Sequence, residues 1–206
     1  MHTPAFHRQN HASYLKKIVY SSYLCIMENM SRILILTGSP RRNGNTDRLA
    51  QSFAKGAEES NQVEIVSVCD YKVNPCIGCN SCFSREGNRC FQNDDMTAIY
   101  EKLSQADILI IASPVYFYGI SSQLKAIIDR LHTPLRNSFN IKKLGLILVG
   151  AATLPELFDA IITQYRLVLN FFKLEDAGSV LVRGAKEKGE VSEEDLKKAF
   201  ELGKSL

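Results

Sequence analysis

Residues 36–46 read Leu36-Thr37-Gly38-Ser39-Pro40-Arg41-Arg42-Asn43-Gly44-Asn45-Thr46. An apolar run that starts at Ile33 leads into this segment, and a helical pattern begins near Asn45. A buried strand that ends in a loop of Gly, Ser, Asn and Thr and passes directly into a helix makes an anion pocket. The loop supplies N–H groups and hydroxyls, and the helix adds the positive end of its dipole. We therefore expect a phosphorylated ligand at this crossover.

The spacing of this loop excludes the common triphosphate and dinucleotide signatures. A triphosphate loop has four residues between its glycines and then Gly-Lys-Ser/Thr. Here five residues separate Gly38 from Gly44, and Asn45 stands where the lysine belongs. The dinucleotide pattern Gly-x-Gly-x-x-Gly is also missing from the segment. What remains is a loop of neutral donors suited to one terminal phosphate without a metal, in which Arg41 and Arg42 either add charge or are solvated.

Composition and charge favour a small-molecule ligand. The chain has 206 residues, 45% of them hydrophobic, which is enough for one globular domain with a sizeable core. The net charge is +3, and residues 1–29 account for +2 of it through Arg8, Lys16 and Lys17 against Glu28. The nearly neutral remainder gives no support for nucleic-acid binding. No apolar run approaches the ~20 residues of a membrane span.

Two features of the chain concern its organisation and its compartment. Residues 1–29 lack a clear amphipathic period, so we expect an N-terminal extension, disordered or loosely docked, before a domain of residues 30–206. Four of the six cysteines lie close together, at Cys76, Cys79, Cys82 and Cys90. Disulfide frameworks belong to small secreted chains rather than to a domain of this size. We therefore expect a cytoplasmic protein whose thiols are reduced or bound to another group.

Apolar runs and helical patterns alternate along the domain. The runs, rich in Ile, Leu and Val, span residues 32–37, 63–68, 107–112, 144–150 and 178–183. The helical patterns cover residues 45–60, 94–104, 121–132, 154–172 and 192–205. Buried strands separated by helices indicate a parallel sheet covered on both faces. The prediction is an α/β three-layer sandwich with a five-stranded parallel sheet of order 2-1-3-4-5. Its ligand should lie beyond the carboxyl ends of strands 1 and 3, where the order reverses.

The loop after strand 3 carries an unusual run of aromatic residues. It reads Ser113-Pro114-Val115-Tyr116-Phe117-Tyr118-Gly119. Aromatic rings left in water need a partner surface, which a flat tricyclic ring would provide. The alternative is that the three rings pack into the core or into a subunit interface. The loop after strand 4 offers the small residues Gly150 and Ala151 at the same sheet edge. Together with the phosphate pocket, these loops predict a mononucleotide with a large planar head group.

Three motifs together resemble one known family. They are GSPRRNGNT at residues 38–46, CIGCNSCFSREGNRCFQNDDM at residues 76–96 and ADILIIASPVYFYGISSQLKAIIDR at residues 106–130. In this order they resemble the NAD(P)H-dependent FMN reductases of the flavodoxin-like superfamily, a branch that includes the iron–sulfur flavoproteins and related quinone reductases. The resemblance covers about residues 32–183 and implies a flavodoxin-like fold.

The resemblance also implies where FMN would bind. Its phosphate is assigned to Ser39, Arg41, Gly44, Asn45 and Thr46, and its ring to Pro114, Val115, Tyr116, Phe117, Tyr118, Gly119, Gly150 and Ala151. The hydroxyls of Ser39 and Thr46 would donate to the phosphate, as would the side-chain amide and the N–H of Asn45. No catalytic side chain is implied, because hydride transfer to a flavin needs none.

The cysteine spacing resembles the compact motif of the iron–sulfur flavoproteins. It is Cys76-x2-Cys79-x2-Cys82-x7-Cys90, and ferredoxins use a related run of closely spaced cysteines. Three alternatives remain open, namely a 4Fe–4S cluster, free thiols and a zinc ion. Zinc fits less well, because zinc sites usually pair their cysteines in two knuckles.

The implied function is an FMN-dependent oxidoreductase. NAD(P)H would pass hydride to bound FMN, and the electrons would go on to a quinone, a flavin, a nitro compound or a protein acceptor. The rival interpretations are an iron–sulfur flavoprotein that acts as a non-enzymatic electron carrier and a flavin-dependent sensor. We also expect a homodimer with twofold symmetry, because the aromatic loop and the helix from Ser121 to His132 should expose apolar surface.

Overall fold

Strands and helices alternate through the part of the chain that the computed structural model describes, residues 30–206. The predicted extension, residues 1–29, lies outside the described residues. The strands are β1 (Arg32–Thr37), β2 (Gln62–Ser67), β3 (Ile108–Pro114), β4 (Lys143–Val149) and β5 (Glu175–Val182). The helices are α1 (Asn45–Ala57), α2 (Met96–Gln105), α3 (Ser122–Asp129), α4 (Asp159–Phe172) and α5 (Glu193–Lys204). Each apolar run and each helical pattern of the sequence overlaps one of these elements.

The five strands form one parallel sheet in the order β2-β1-β3-β4-β5. This confirms the predicted order. Residues Ile108 to Ser113 of β3 are all buried, as expected for the central strand, whereas Glu64 and Ile65 of the edge strand β2 are exposed. The order reverses between β1 and β3, so Thr37 pairs with Ala112 and the loops that follow these strands leave the sheet side by side.

Helices cover both faces of the sheet, which makes the predicted three-layer sandwich. Along β1, Ile33 and Ile35 belong to one buried core and Leu34 and Leu36 to the other, because successive side chains of a strand point to opposite faces. The first core includes residues of α1 and α5, and the second includes residues of α2, α3 and α4. In α2 the second core takes Met96, Ile99 and Leu103.

Two glycines let α1 and α5 pack very closely. A Cβ at Gly56 would lie 2.0 Å from the carbonyl oxygen of Phe200, and a Cβ at Gly203 would lie 2.0 Å from that of Phe53. No side chain fits at such distances, so the two helices meet backbone to backbone. This contact keeps α5 beside α1.

Local capping fixes where the last helix begins. Ser192 precedes α5 and accepts the N–H of Asp195, while the Asp195 carboxylate accepts the Ser192 N–H, which is a complete capping box. No helix within residues 30–206 has the length and apolar character that crossing a membrane requires.

Candidate functional site

The phosphate loop, residues 38–44, connects β1 to α1 at the switch point of the sheet. Gly38 donates its N–H to the carbonyl of Ala112 in β3 at 2.8 Å. A Cβ at Gly38 would lie 2.4 Å from Ser121 Oγ and 2.9 Å from Leu124 Cβ. Only glycine therefore allows the loop to pass between the end of β3 and the start of α3.

The phosphate loop and the first turn of α1 carry several hydrogen-bond donors. Ser39 is buried, and its Oγ accepts the N–H of Arg41 at 3.2 Å. Gly44 ends the turn by donating its N–H to the Arg41 carbonyl at 3.1 Å. Thr46 is buried in the first turn of α1, whose leading N–H groups have no acceptor within the helix. Hydroxyls and free N–H groups at the positive end of a helix suit an anion.

The side chain of Asn45 is already occupied. Its Nδ2 donates to the carbonyls of Ala185 at 3.2 Å and Glu187 at 2.8 Å, and its Oδ1 accepts the N–H of Gly189 at 2.9 Å. The amide therefore joins the phosphate loop to the connection between β5 and α5. Of the two donors predicted at Asn45, only the backbone N–H remains for a phosphate.

The two arginines of the phosphate loop have different partners. Arg41 Nη1 donates to the carbonyl of Lys186 at 3.1 Å. Arg42 instead forms an exposed ion pair with Asp70, which raises the pKa of the Arg42 guanidinium. Arg41 thus remains at the pocket, and Arg42 is directed towards the segment after β2.

The aromatic loop, residues 114–119, is a tight and strained hairpin. Tyr116 and Gly119 exchange two backbone hydrogen bonds, of 2.9 and 3.0 Å. Phe117 and Tyr118 lie at the tip with φ angles of 48° and 64°. A two-residue turn with both φ angles positive normally uses Asn-Gly, because bulky side chains are disfavoured in the left-handed region. Strain of this kind concentrates at functional sites.

Hydrogen bonds fix the base of this hairpin against the sheet. Val115 donates its N–H to the carbonyl of Val149, the last residue of β4, at 2.8 Å. Ser121 donates its N–H to Ser113 Oγ at 3.0 Å, and its own Oγ caps α3 by accepting the N–H of Leu124 at 3.4 Å. The tip therefore projects from a well-anchored base.

The three aromatic rings are not buried in the core of this chain. Phe117 is 98% exposed, and Tyr116 and Tyr118 are 47% and 46% exposed. The alternative in which they pack into the core therefore does not hold for the described residues. Their surfaces are free for a ligand or for a second subunit.

The expectation that the helix after this loop exposes apolar surface was wrong. Leu124, Ala126 and Ile127 of α3 are buried within the chain. The aromatic loop does expose apolar surface, as expected, and so do other elements, among them α4, where Leu167 and Phe171 are 65% and 55% exposed.

One pocket collects most of the predicted site residues. The predicted residues that line it are Ser39, Arg41, Gly44, Asn45, Thr46, Pro114, Val115, Tyr116 and Ala151. The predicted residues outside its lining are Phe117, Tyr118, Gly119 and Gly150. Gly150 has a different use, because it donates its N–H to Val182 at 2.8 Å and accepts that of Ala185 at 3.1 Å. The phosphate loop and the base of the aromatic loop therefore share one concave surface.

Four further residues line this pocket and were missed by sequence reasoning. They are Val149, Ala185, Lys186 and Lys188. The last three belong to a connection that we call the basic loop, residues 184–190, between β5 and α5. Its sequence signal was the pair Gly184 and Gly189 around an Ala-Lys-Glu-Lys run. Alternating patterns alone could not show that this loop reaches the first crossover.

The cysteine loop, residues 76–90, does not bring its thiols together around one point. Cys76 and Cys79 are exposed, and Cys82 and Cys90 are partly buried. Among residues 30–206, no three His, Cys, Asp or Glu side chains converge in a way that could hold a metal ion. The residues as arranged therefore do not fit a 4Fe–4S cluster or a zinc ion. The Ser81 hydroxyl, 3.3 Å from Cys79 Sγ, lowers the pKa of that thiol.

A buried ion pair closes the base of the cysteine loop. The side chains of Arg130 and Asp94 are 3% and 4% exposed and lie 2.5 Å apart. Asp94 also accepts the N–H of Asn74 at 2.9 Å, and Arg130 donates to the Asn74 carbonyl at 3.2 Å. Burial raises the pKa of Tyr100 to about 12, so its hydroxyl stays protonated and donates to the Arg130 carbonyl at 2.7 Å. These bonds hold together the two segments that flank the cysteine loop, at Asn74 and at Asp94.

Comparison with known proteins identifies the family of this fold and pocket. Residues 31–175 match the family of NADPH-dependent FMN reductases. The chain belongs to this family. An iron-sulfur flavoprotein of Methanocaldococcus jannaschii is 41% identical over 124 residues, which are 59% of this chain and 63% of that protein. An iron-sulfur flavoprotein of Archaeoglobus fulgidus is 33% identical over 178 residues, 83% of this chain and 76% of that protein. This family member therefore spans less than two thirds of the Methanocaldococcus relative.

Solved structures agree with the flavodoxin-like fold. An NAD(P)H:quinone oxidoreductase from Methanothermobacter marburgensis superposes with a TM-score of 0.68 at 17% identity, covering 85% of this chain and 96% of that one. An FMN-dependent NADH-azoreductase from Bacillus anthracis, in complex with FMN, superposes with a TM-score of 0.60 at 16% identity, covering 85% of this chain and 97% of that one. At these identities the agreement concerns the fold alone.

The donor set of the pocket fits the cofactor of this family. A flavin mononucleotide ends in one phosphate, which needs several hydrogen-bond donors and positive charge. Ser39, Thr46 and the first N–H groups of α1 supply the donors, and Arg41 supplies charge. Tyr116 lines the same pocket and offers an exposed aromatic surface for the ring. The residues present therefore suit FMN.

Proposed function

We propose that this protein is an FMN-dependent oxidoreductase that takes hydride from NAD(P)H and passes electrons to a quinone, a flavin, a nitro compound or a protein acceptor. One observation carries the proposal. An anion pocket at the N-terminus of α1 is continuous with the base of a strained, exposed aromatic hairpin, in a chain of the FMN reductase family.

The phosphate end of the cofactor is bound by the phosphate loop. The Thr46 hydroxyl donates to it, together with the N–H groups of Asn45 and its helical neighbours. The Ser39 hydroxyl, which donates to the Arg41 carbonyl at 3.2 Å, joins them by rotating towards the phosphate. Gly44 contributes close backbone approach, because a Cβ there would lie 2.9 Å from the Arg41 carbonyl. Arg41 adds positive charge beside the phosphate.

The ring end is bound by the loops after β3 and β4. These loops contribute Pro114, Val115, Tyr116 and Ala151 to the lining of the pocket. FMN, when bound, supplies a ring that accepts a hydride and releases electrons singly or in pairs. Phe117 and Tyr118 lie outside the pocket lining and would offer exposed aromatic surface next to Tyr116 for a nicotinamide or an aromatic acceptor.

The chain needs no general acid for this reaction. His132 is the only histidine after residue 30, and it lies outside the pocket lining. Its ring contacts those of Phe83 and Phe171, with centroids 5.9 and 5.7 Å away. These contacts give His132 a packing role rather than a part in the reaction.

The alternative is an electron carrier that holds an iron–sulfur cluster. The four-cysteine spacing favours it, and two relatives are named as iron-sulfur flavoproteins. The arrangement of the thiols argues against a preformed cluster site. We therefore place the reductase first.

We also propose that the protein is a cytoplasmic homodimer without nucleic-acid or membrane partners. The location and the absence of such partners rest on the reduced thiols and nearly neutral domain expected from the sequence. The dimer is supported by the exposed rings of Phe117 and Phe171, which a second copy could cover. Light scattering of the purified chain at several concentrations tests this part.

Anaerobic mixing of the FMN-loaded full chain with NADH or NADPH tests the reductase proposal. We expect the oxidised flavin absorbance to disappear on mixing with at least one nicotinamide and to return on addition of a benzoquinone. Dithionite serves as the control, because it reduces a bound flavin whatever its natural donor. If dithionite bleaches the flavin and neither nicotinamide does, the chain is not an NAD(P)H-dependent reductase, and the electron-carrier alternative takes its place.

A further inference from the structure

We propose that the basic loop completes the phosphate subsite, with Lys186 and Lys188 as phosphate-facing cations and Asn45 as the positioning residue that holds the loop in place. This rests on the proposed function, because the ligand concerned is the FMN phosphate. The basic loop lies outside residues 31–175, the part of the chain that matches the family.

The basic loop is attached to α1 through Asn45. The buried side chain of Asn45 makes three hydrogen bonds to its backbone, with Ala185, Glu187 and Gly189. A buried amide whose donors and acceptor are all used holds its partners in one geometry, since each broken bond would leave a polar group unpaired. Asn45 therefore sets the position of the loop rather than the charge of the site.

Further contacts define the shape of the loop. Arg41 donates to the Lys186 carbonyl at 3.1 Å, and Arg48 donates to the Gly189 carbonyl at 3.2 Å. Within the loop, the Glu190 carboxylate accepts the N–H groups of Lys186 and Glu187, each at 2.7 Å. These bonds use backbone atoms of the loop and do not involve the ammonium groups of Lys186 and Lys188.

Two glycines adopt the backbone angles that this path needs. Gly184 and Gly189 have φ angles of 74° and 94°, in a region that residues with a Cβ rarely adopt. They lie at the two ends of the Ala-Lys-Glu-Lys run, so the run is presented between two fixed turns.

The two lysines of the basic loop add positive charge to the pocket. Lys186 and Lys188 line the pocket with Ser39, Thr46 and Arg41, whereas Arg42 is paired with Asp70. Without the lysines, the anion pocket would have a single positive side chain for a phosphate that carries nearly two negative charges. Lys186 lies 3.9 Å from Glu187 across a largely exposed pair, which is a weak competitor for the ammonium group.

The experiment compares affinities for FMN and for riboflavin, which lacks the phosphate. The variant is Lys186→Gln with Lys188→Gln in the full chain. The matched control is Lys197→Gln with Lys198→Gln, which removes the same charge from exposed positions of α5. We expect the first pair to weaken FMN binding about tenfold, because each partly exposed charge pair contributes a few-fold. Riboflavin affinity should be unchanged, and the control pair should change neither.

Two additional variants separate charge from shape. Lys186→Arg with Lys188→Arg keeps the charge and should retain the preference for FMN over riboflavin. Asn45→Ala should lose that preference even though it removes no charge, because the loop is no longer held at the pocket. Thermal unfolding of each variant confirms that it is folded.

The outcomes distinguish this inference from the proposed function. If the wild-type chain binds FMN and the lysine pair variant keeps the wild-type ratio of FMN to riboflavin affinity, the basic loop has no part in phosphate binding. If the wild-type chain binds no FMN, the proposed function fails and this inference fails with it.

Discussion

At the residue scale, the tip of the aromatic loop shows the clearest conflict between stability and function. Phe117 and Tyr118 occupy left-handed backbone positions that favour Asn and Gly. Their rings are also exposed, so the chain gains little burial from them. Aromatic side chains that are both exposed and in a disfavoured backbone conformation indicate a binding surface.

Replacing the tip with the preferred turn residues should separate these two effects. Phe117→Asn with Tyr118→Gly relieves the backbone strain, and we expect the free energy of unfolding to rise by about 1–2 kcal/mol. Reduction of the bound flavin by NAD(P)H should become slower, because the stacking surface is lost. Urea denaturation and anaerobic mixing measure the two effects. A variant that is less stable and reacts as fast as the wild type would contradict both parts.

At the element scale, close packing of α1 against α5 depends on glycine. Gly203→Ala would place a Cβ 2.0 Å from the carbonyl oxygen of Phe53, and backbone cannot move aside as a flexible side chain can. We expect the free energy of unfolding to fall by about 2–3 kcal/mol, as measured by urea denaturation. Gly119→Ala is the control, since its Cβ would come no closer than 3.6 Å to Tyr116 and should cost little. Equal stabilities of the two variants would reject the packing argument.

The buried ion pair below the cysteine loop belongs to the same scale. Arg130→Met leaves the Asp94 carboxylate buried without its partner, so we expect a loss of about 3 kcal/mol of unfolding free energy. Lys125→Met breaks an exposed ion pair with Asp129 on the same helix and should cost well under about 1 kcal/mol. If urea denaturation shows equal losses for the two variants, the ion pair between Arg130 and Asp94 does not contribute more to stability than an exposed pair.

The same pair predicts a dependence on pH. Burial raises the pKa of Asp94, but hydrogen bonds from Arg130, Asn74 and Met96 outweigh it and hold the pKa below its ordinary value. A carboxylate of lowered pKa stabilises the fold above its unfolded pKa, about 4, and this contribution disappears as the pH falls towards the folded value. The wild type should therefore lose stability below about pH 4. Asp94→Asn should lose less, and an equally steep loss would contradict this assignment.

Much of the element scale could be predicted from the sequence. Within residues 30–206, the alternation of apolar runs and helical patterns identified the five strands, the five α-helices and the order of the sheet, because parallel strands buried on both faces leave a strong signal. Tertiary contacts could not be predicted in the same way. Asn45 has the right type and place for a phosphate ligand, yet its amide binds a loop about 140 residues further along the chain. The apolar surface of α3 was misjudged because periodicity does not show which other strands and helices of the same core cover it.

At the scale of the whole molecule, three chain segments far apart in sequence meet at one edge of the sheet. The phosphate loop follows β1, the aromatic loop follows β3, and the basic loop follows β5. Parallel strands end at the same edge, so the order 2-1-3-4-5 places these loops on one side of the sheet, and the hydrogen bonds of Asn45 attach the basic loop to the first crossover. The site is therefore a consequence of the topology, and its specificity comes from the few side chains placed there.

The central claim is that one FMN binds with its phosphate at the N-terminus of α1. Titration of the flavin-free full chain with FMN, followed by quenching of flavin fluorescence, tests it most directly. We predict saturation at one FMN per chain, with Thr46→Val weakening the affinity about tenfold or more because a hydrogen bond to a charged group is lost. A chain that is folded, flavin-free and unable to quench FMN fluorescence at any concentration would contradict the account.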